Sequence, residues 1–460
     1  MSKLRLFFLL FIFFYSPVLS SDEYCRPKFE IISDLKEIKK KEDKKNPVFV
    51  YFDGSLSMQG FVKDQPGQKN LYRDVIDDLQ QISENVGSKT YYHKFGSSIE
   101  PIKENEIARV TKPLFYDCAG SVESCNNQET RLELAFKAAN ANKDATYIIV
   151  TDLFLSSKQL VGSTLSSLTS PLKSVLKNGN SIGVVGVMSS FNGTIYDIPS
   201  KAGGTLKYSE AKKRPFYIII VGNEKNINLV KKNLKEQHFI DQEDQYKFSL
   251  ITSSPILKNL NQDKSIKENY ITGISNRDTV KLDYIENNFP IFNFNATQND
   301  KIKFKIKNNE IIVDGSNGIS NYQIDEHLWT SKEQACKKIS EDSWKKAKFE
   351  KISKWTSSGT SSEDQFELNT FEQVALKKLF RGMRYFYLAN IYAEKPGNSS
   401  EEIFKDWSIR DSEAEDFKDQ NPVEFKTLNL SKIIGILNSV AEDAFEKTLV
   451  ASIAMNFDLE

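Results

Sequence analysis

One carboxylate and two hydroxyls occupy alternate positions in the segment DGSLS: Asp53, Ser55 and Ser57. The segment follows the apolar run at 48–52, a pattern typical of a strand buried on both faces. Alternate positions in a strand-to-loop turn direct the three oxygens toward a common point. Hard divalent cations such as Mg2+ prefer oxygen ligands, with some positions left to water. The spacing therefore predicts a metal site, against the alternative that these residues only form a turn or cap a helix.

Two further oxygen-bearing side chains are expected near the same point. Thr130 lies in the loop before a predicted helix at 132–139, and Asp152 follows a second buried apolar run at 147–150. In sheets built from alternating strands and helices, ligands bind beyond the carboxyl ends of the parallel strands. The predicted metal set is therefore Asp53, Ser55, Ser57, Thr130 and Asp152.

The elements that must position these residues alternate between strands and helices. The sequence predicts strands at 48–52, 90–95, 147–150 and 182–188, and helices at 71–86, 132–139 and 160–175. This alternation is typical of a mainly parallel sheet covered on both faces, in a domain that spans 46–211. Asn192-Gly193 between two strand-like runs predicts a tight hairpin.

The pattern resembles the von Willebrand factor type A domain with its metal-ion-dependent adhesion site. The resemblance is carried by DGSLS at 53–57, Thr130, Thr151-Asp152 and the run IGVVGV at 182–187. It implies a doubly wound, Rossmann-like α/β fold in which the five predicted residues hold Mg2+ or Mn2+, some directly and some through water. The chain departs from the family at Leu153, where a glycine is common, and before Thr130, where it lacks a glycine-rich turn.

The charge of such a site indicates what it would bind. Two carboxylates and three neutral hydroxyls leave a divalent ion under-neutralised, above all if one aspartate alone coordinates it directly. A carboxylate of a partner would then complete the coordination shell. We therefore expect an adhesion-type protein that binds a protein ligand through an acidic residue. The alternative is a structural envelope or surface component whose A-type domain needs no metal.

Composition excludes some classes of function. The 62 basic and 62 acidic side chains give no net charge, which argues against a protein that tracks nucleic-acid phosphates. The three histidines, His93, His238 and His327, have neither zinc nor triad spacing, and His93 is interpreted as structural. No nucleophile elbow or phosphate-binding loop occurs, so an enzyme is not favoured. A hydrolase site in the C-terminal half is kept as a second alternative.

The N-terminus predicts export. Residues 1–20 have the basic, apolar and small-residue regions of a secretory signal peptide, and 21–45 read as a charged leader. No later apolar run approaches the length of a membrane span. We therefore expect a periplasmic, cell-surface or secreted protein.

Export makes disulfides the favoured state of the four cysteines, which are Cys25, Cys118, Cys125 and Cys336. Four cysteines allow three pairings. Cys118 and Cys125 lie close together in a polar loop and are predicted to pair.

The remaining chain is predicted in two parts. Residues 212–320 read as strand-rich, with a strand at 216–221, a helix at 226–237 and a period-two strand at 301–307 with a hairpin partner at 311–313. Residues 321–460 read as mainly helical, because apolar residues from Ile433 to Leu449 recur at helical spacing. The aromatic run at 379–392 is compatible with either a helix or a strand.

Overall fold

The computed structural model shows a mixed α/β chain with several sheets. It describes residues 27, 46–63, 70–117, 130–155, 163–198, 204–207, 212–238, 245–253, 266–285, 289–307, 319–332, 344–346, 354–358, 365–371, 376–396, 399–410, 413 and 426–460. No helix within these ranges is both long and apolar enough to span a bilayer.

The described helices and strands follow in chain order. The helices are α1 (Gln59–Val62), α2 (Leu71–Val86), α3 (Leu132–Ala139), α4 (Ser163–Lys177), α5 (Glu224–His238), α6 (Ser399–Phe404) and α7 (Leu430–Ala444). The strands up to residue 251 are β1 (Val48–Asp53), β2 (Thr90–Phe95), β3 (Ile99–Ile102), β4 (Thr146–Thr151), β5 (Ser181–Phe191), β6 (Thr194–Ile198), β7 (Gly204–Lys207), β8 (Lys212–Gly222) and β9 (Tyr246–Ile251). The later strands are β10 (Ile271–Thr272), β11 (Lys281–Ile285), β12 (Phe289–Ala296), β13 (Ile302–Lys307), β14 (Ile319–Ser331), β15 (Lys345–Lys346), β16 (Lys354–Ser358), β17 (Gln365–Phe371), β18 (Met383–Pro396), β19 (Ser408–Ile409), β20 (Thr427–Leu428) and β21 (Thr448–Leu459).

The first sheet has seven strands in the order β3-β2-β1-β4-β8-β5-β9. β1 lies between β2 and β4 and is parallel to both, so the ends of β1 and β4 meet at one edge. Two apolar cores flank the sheet. One contains α1, α2 and α5, and the other contains α3, α4 and α7, so helices cover both faces.

The sequence correctly predicted the first strands and helices of this sheet but not its strand order. β8 pairs antiparallel with both β4 and β5, and β5 pairs antiparallel with β9. The expectation of a mainly parallel sheet was therefore wrong. β8 also carries the sheet past the boundary predicted at 211/212. Its run at 214–222 is buried throughout, as a central strand requires.

The hairpin predicted at Asn192-Gly193 does not form a ladder between β5 and β6. β6 pairs with β7 instead. The Asn192 amide donates to the Gly60 carbonyl at 2.8 Å, and a Cβ on Gly193 would lie 2.6 Å from Gly60 Cα. The turn therefore docks on α1, and this contact needs glycine at position 193.

The second unit is built from two sheets that share one large apolar core, and a smaller apolar cluster is formed by other residues of the six-stranded sheet together with Trp344. Six strands run in the order β11-β12-β21-β18-β14-β15, and four run β10-β13-β17-β16. β13 confirms the period-two strand, but it pairs with β10 and β17. Its predicted partner at 311–313 lies outside the described residues.

The prediction of a mainly helical region at 321–460 was wrong, because most of its elements are strands. The aromatic run that the sequence left undecided belongs to the strand β18. The central strands β18 and β21 are largely buried on both faces, which removes the period-two alternation that marks an exposed strand. The helical stripe from Ile433 is α7, but it ends at Ala444, and Leu449 lies in β21.

Helix α7 joins the two units. Ile434 and Leu437 are buried in the core on the α3–α4 face of the first sheet. Only residues 445–447 separate α7 from β21, which pairs with β12 and β18 in the middle of the six-stranded sheet. The chain therefore returns from the second unit to cover the first and then enters the second again.

We expect Ile434→Ala to lower the free energy of unfolding by about 2–5 kcal/mol, because it removes buried methyl groups and leaves a cavity. Ser439→Ala, at an exposed position of the same helix, is the matched control. Urea unfolding of both variants measures the difference. Equal stability of the two variants would contradict the role of α7 as a cover of the first sheet.

Candidate metal centre

Asp53 is the last residue of β1 and is fully buried. The Ser55 amide donates to Asp53 Oδ1 at 2.9 Å, which fixes the turn after the strand. A Cβ at position 54 would lie 2.2 Å from Lys94 Cε, so a larger residue there would displace the lysine side chain. The turn therefore holds the carboxylate at the edge of the sheet while the neighbouring lysine passes beside it.

The hydroxyls of Ser55 and Thr130 contact this carboxylate, and the hydroxyl of Ser57 lies next to that of Ser55. Ser55 Oγ and Ser57 Oγ are 3.0 Å apart. Thr130 Oγ1 lies 3.4 Å from Asp53 Oδ1 and 3.3 Å from Asp53 Oδ2, although it follows 77 residues later in the chain. Four of the five predicted residues thus meet around Asp53.

Thr151 adds a hydroxyl that the sequence reasoning did not assign to the site. It ends β4, and its Oγ1 donates to Asp53 Oδ2 at 2.6 Å. Thr151 Oγ1 also accepts a hydrogen bond from the Leu153 amide at 3.2 Å. The signal was present in the sequence, since Thr151 directly precedes Asp152. Thr151 therefore links the ends of β1 and β4.

Asp152 is also buried, but other groups engage both of its oxygens. Oδ1 accepts the Phe154 amide at 3.1 Å, and Oδ2 accepts Arg214 Nη2 at 3.0 Å. Both partners of this ion pair are 1% exposed. The structure therefore gives the two aspartates different surroundings, with hydroxyls at Asp53 and a guanidinium at Asp152.

Arg214 is the charged residue that the sequence reasoning missed. It lies near the start of β8, opposite Ser189 of β5. Because β8 runs antiparallel to β4, its beginning lies beside the end of β4, where Asp152 follows. An arginine just before the apolar run at 216–221 was the available signal, but sequence alone does not assign that run to this sheet.

Aromatic rings enclose the Arg214 guanidinium. Its Cζ lies 4.9, 5.2 and 5.8 Å from the ring centroids of Phe191, Phe154 and Phe61. Among the described residues, Arg214 Nε and Nη1 are buried without a hydrogen-bond partner. A fully satisfied structural arginine would use these donors, so Asp152 is the main polar contact of this side chain.

Burial and charge raise the pKa of Asp53 to about 7. Desolvation is the largest cause, followed by repulsion from Asp152, while hydrogen bonds from Thr151 and Ser55 lower the pKa. In the part of the chain that the structure describes, no basic side chain forms an ion pair with Asp53. Among the described residues, the Asp53 carboxylate is thus buried with hydroxyl donors and has no contacting cation.

Lys94 is a basic side chain that passes beside Gly54 in this turn. Its Nζ donates to the Phe115 carbonyl at 2.7 Å and lies 4.8 Å from the centroid of the Phe115 ring. Burial lowers its pKa, while Glu100 and Asp53 act in the opposite direction. This lysine therefore closes the side of the turn without forming an ion pair with Asp53.

Leu153 has φ 49°, a left-handed conformation that favours glycine. This is the position where the resembling family commonly has glycine, and here a leucine adopts the left-handed conformation. Leu153 is buried in the α3–α4 core. Burial of its side chain offsets backbone strain on the order of 1 kcal/mol.

The donor set fits a hard divalent ion. It combines the Asp53 carboxylate with the hydroxyls of Ser55, Ser57 and Thr130. Asp152, whose oxygens accept hydrogen bonds from Phe154 and Arg214, is a second carboxylate at the same edge of the sheet. Within the described ranges, no cluster of three or more His, Cys, Asp or Glu side chains offers a different type of centre. Cys25, Cys118, Cys125 and Cys336 lie outside the described residues, so the Cys118–Cys125 pairing stays a prediction.

His93 lies in β2 and stacks on Tyr51 with 4.8 Å between the ring centroids. Burial lowers its pKa. This packing agrees with the interpretation of His93 as a structural residue.

Comparisons with protein-family models, curated proteins and solved structures found no match. The resemblance to the von Willebrand factor type A domain therefore rests on the residues and the arrangement described above.

In metal-free protein, we expect a rise in pH from about 4 to about 7 to destabilise the wild type relative to Asp53→Asn. The folded pKa of about 7 lies above the value of about 3.9 for an unfolded aspartate. The contribution of the protonated Asp53 to the free energy of unfolding is therefore fully present below about pH 4 and is lost as the pH rises through about 7. Thermal midpoints of both proteins, measured across this range with chelator, provide the test. A constant difference between them would contradict the raised pKa.

Proposed function

We propose that residues 46–251, with α7 packed on them, form a von Willebrand A-type, Rossmann-like domain that binds Mg2+ or Mn2+. Asp53, Ser55, Ser57 and Thr130 would hold the ion, and Asp152 would act from behind them through water. The observation that carries this proposal is the Asp53 carboxylate, which is buried among hydroxyls and contacts no cation within the described part of the chain. Burying a charge without a counterion is costly, and a divalent ion would remove that cost.

We further propose that the loaded site binds an acidic residue of a protein partner. Ser57 and Thr130 are only partly buried, so the carboxyl edge of the sheet is open on their side. A bound divalent ion offers a coordination position to a carboxylate. With the export expected from residues 1–20, this describes an extracytoplasmic, adhesion-type binding protein.

One observation favours a second candidate function. The ion pair between Arg214 and Asp152 gives the site a permanent cation. This supports a structural component whose A-type domain keeps its fold without metal. The two candidates differ in one measurable property, which is the response of the folded protein to divalent ions.

We expect Mn2+ or Mg2+ to raise the thermal midpoint of the wild type relative to protein in EDTA. An ion at a hundred times its dissociation constant adds about 2.7 kcal/mol to the free energy of unfolding. For a unit of this size the shift is about 5–10 °C. Asp53→Ala should abolish it.

Asp144→Ala is the matched control, because Asp144 is exposed in the loop before β4, at the opposite edge of the sheet. This variant should keep the shift. Loss of the shift in both variants, or no shift in the wild type, would reject the metal site and leave the structural candidate.

Peptide selection on the immobilised full chain tests the partner chemistry. We expect the peptides that are retained in Mn2+ and released by EDTA to contain an Asp or Glu. Changing that residue to Asn or Gln should weaken binding at least about tenfold, because a buried charged contact contributes more than about 1.4 kcal/mol. Retention that persists in EDTA or after this change would contradict metal-mediated recognition of a carboxylate.

A further inference from the structure

Arg214 is a positively charged residue at the site, and the sequence predicted only oxygen-bearing side chains there. Its guanidinium is 1% exposed and contacts one of the two carboxylates, Asp152, at 3.0 Å. It arrives on β8, the antiparallel strand inserted between β4 and β5. The fixed positive charge therefore enters the site from an antiparallel strand, whereas the two carboxylates come from the parallel strands.

The surroundings of Arg214 show that it is not placed to satisfy its own donors. Within the described part of the chain, Nε and Nη1 are buried without hydrogen-bond partners, and three phenyl rings surround the guanidinium. Replacement of a buried ion pair by packed apolar residues is often neutral or stabilising. Fold stability alone therefore gives little reason for a cation at this position.

The positive charge of Arg214 changes the net charge of the site. When both carboxylates are ionised, as metal binding requires, Asp53 and Asp152 contribute two negative charges and Arg214 contributes one positive charge, so these three side chains carry a net charge of minus one. With a divalent ion the net charge becomes plus one. Without Arg214 it would be zero, and both carboxylates would be available to the ion.

We propose that Arg214 is a positioning residue that holds Asp152 away from the metal, weakens metal affinity and leaves the loaded site positively charged toward an anionic partner. The inference rests on the proposed function, because it concerns the same metal site. A fixed cation close to the ion opposes binding by direct repulsion, and this repulsion is strong in a buried, weakly polarisable setting. The site would then bind metal measurably on its own and more tightly when a partner carboxylate supplies the missing negative charge.

The test is Mn2+ binding to the full chain, measured by calorimetry and by the thermal midpoint in Mn2+ and in EDTA. Arg214→Gln removes the charge, and Arg214→Lys keeps it. We expect Arg214→Gln to be less stable than the wild type in EDTA, because Asp152 loses its partner. In Mn2+ it should recover that stability and bind the ion at least about tenfold more tightly than the wild type. Arg214→Lys should bind Mn2+ within about threefold of the wild type.

A purely structural arginine would not produce a gain of metal affinity, so this readout separates positioning from folding. Equal Mn2+ affinity of the wild type and Arg214→Gln would overturn the inference and leave the proposed function standing. Binding by Arg214→Gln but not by the wild type would support the inference and reject metal-dependent function for the natural chain. Binding by neither protein would reject both.

Arg214→Met replaces Arg214→Gln if the latter does not fold in either condition. Methionine keeps much of the length of the side chain and packs well against aromatic rings. The same outcomes apply to it, since it also removes the charge beside Asp152.

Discussion

Two carboxylates buried at one edge of a sheet impose the constraint on which the rest of this site depends. Asp53 and Asp152 follow neighbouring parallel strands, so their negative charges are forced together where water is excluded. The protein compensates them unequally. Asp152 receives a guanidinium, whereas the donors to Asp53 in the described ranges are hydroxyls and an amide. The hydroxyl cluster, the aromatic enclosure and the raised pKa of Asp53 are consequences of this unequal compensation.

The antiparallel strand β8 is the structural origin of that inequality. A parallel strand next to β4 would carry its amino end to the opposite edge of the sheet. β8 instead begins beside the end of β4, and this places Arg214 near Asp152. Strand direction therefore determines which charge reaches the site, while the segments at 53–57 and 151–152 supply the oxygens.

The sequence predicted those parts of the fold that depend on local pattern. Helix α3 and strand β2 appear at the residues expected, and DGSLS brings its oxygens together, because short apolar runs and alternate polar positions encode them directly. Sheet order depends on pairing between distant segments, so neither the position of β8 nor the contact made by Arg214 was predictable. The strands β18 and β21 were missed for a different reason, because burial on both faces removes their alternation.

The chain returns from the second unit to place α7 on the first sheet, and this late return has a consequence for biosynthesis. The first sheet is complete once residue 251 has left the ribosome, but α7 ends only at residue 444. Until then the apolar surface that Ile434 and Leu437 later cover faces solvent. The nascent domain would therefore offer a binding surface to chaperones for nearly two hundred residues of translation.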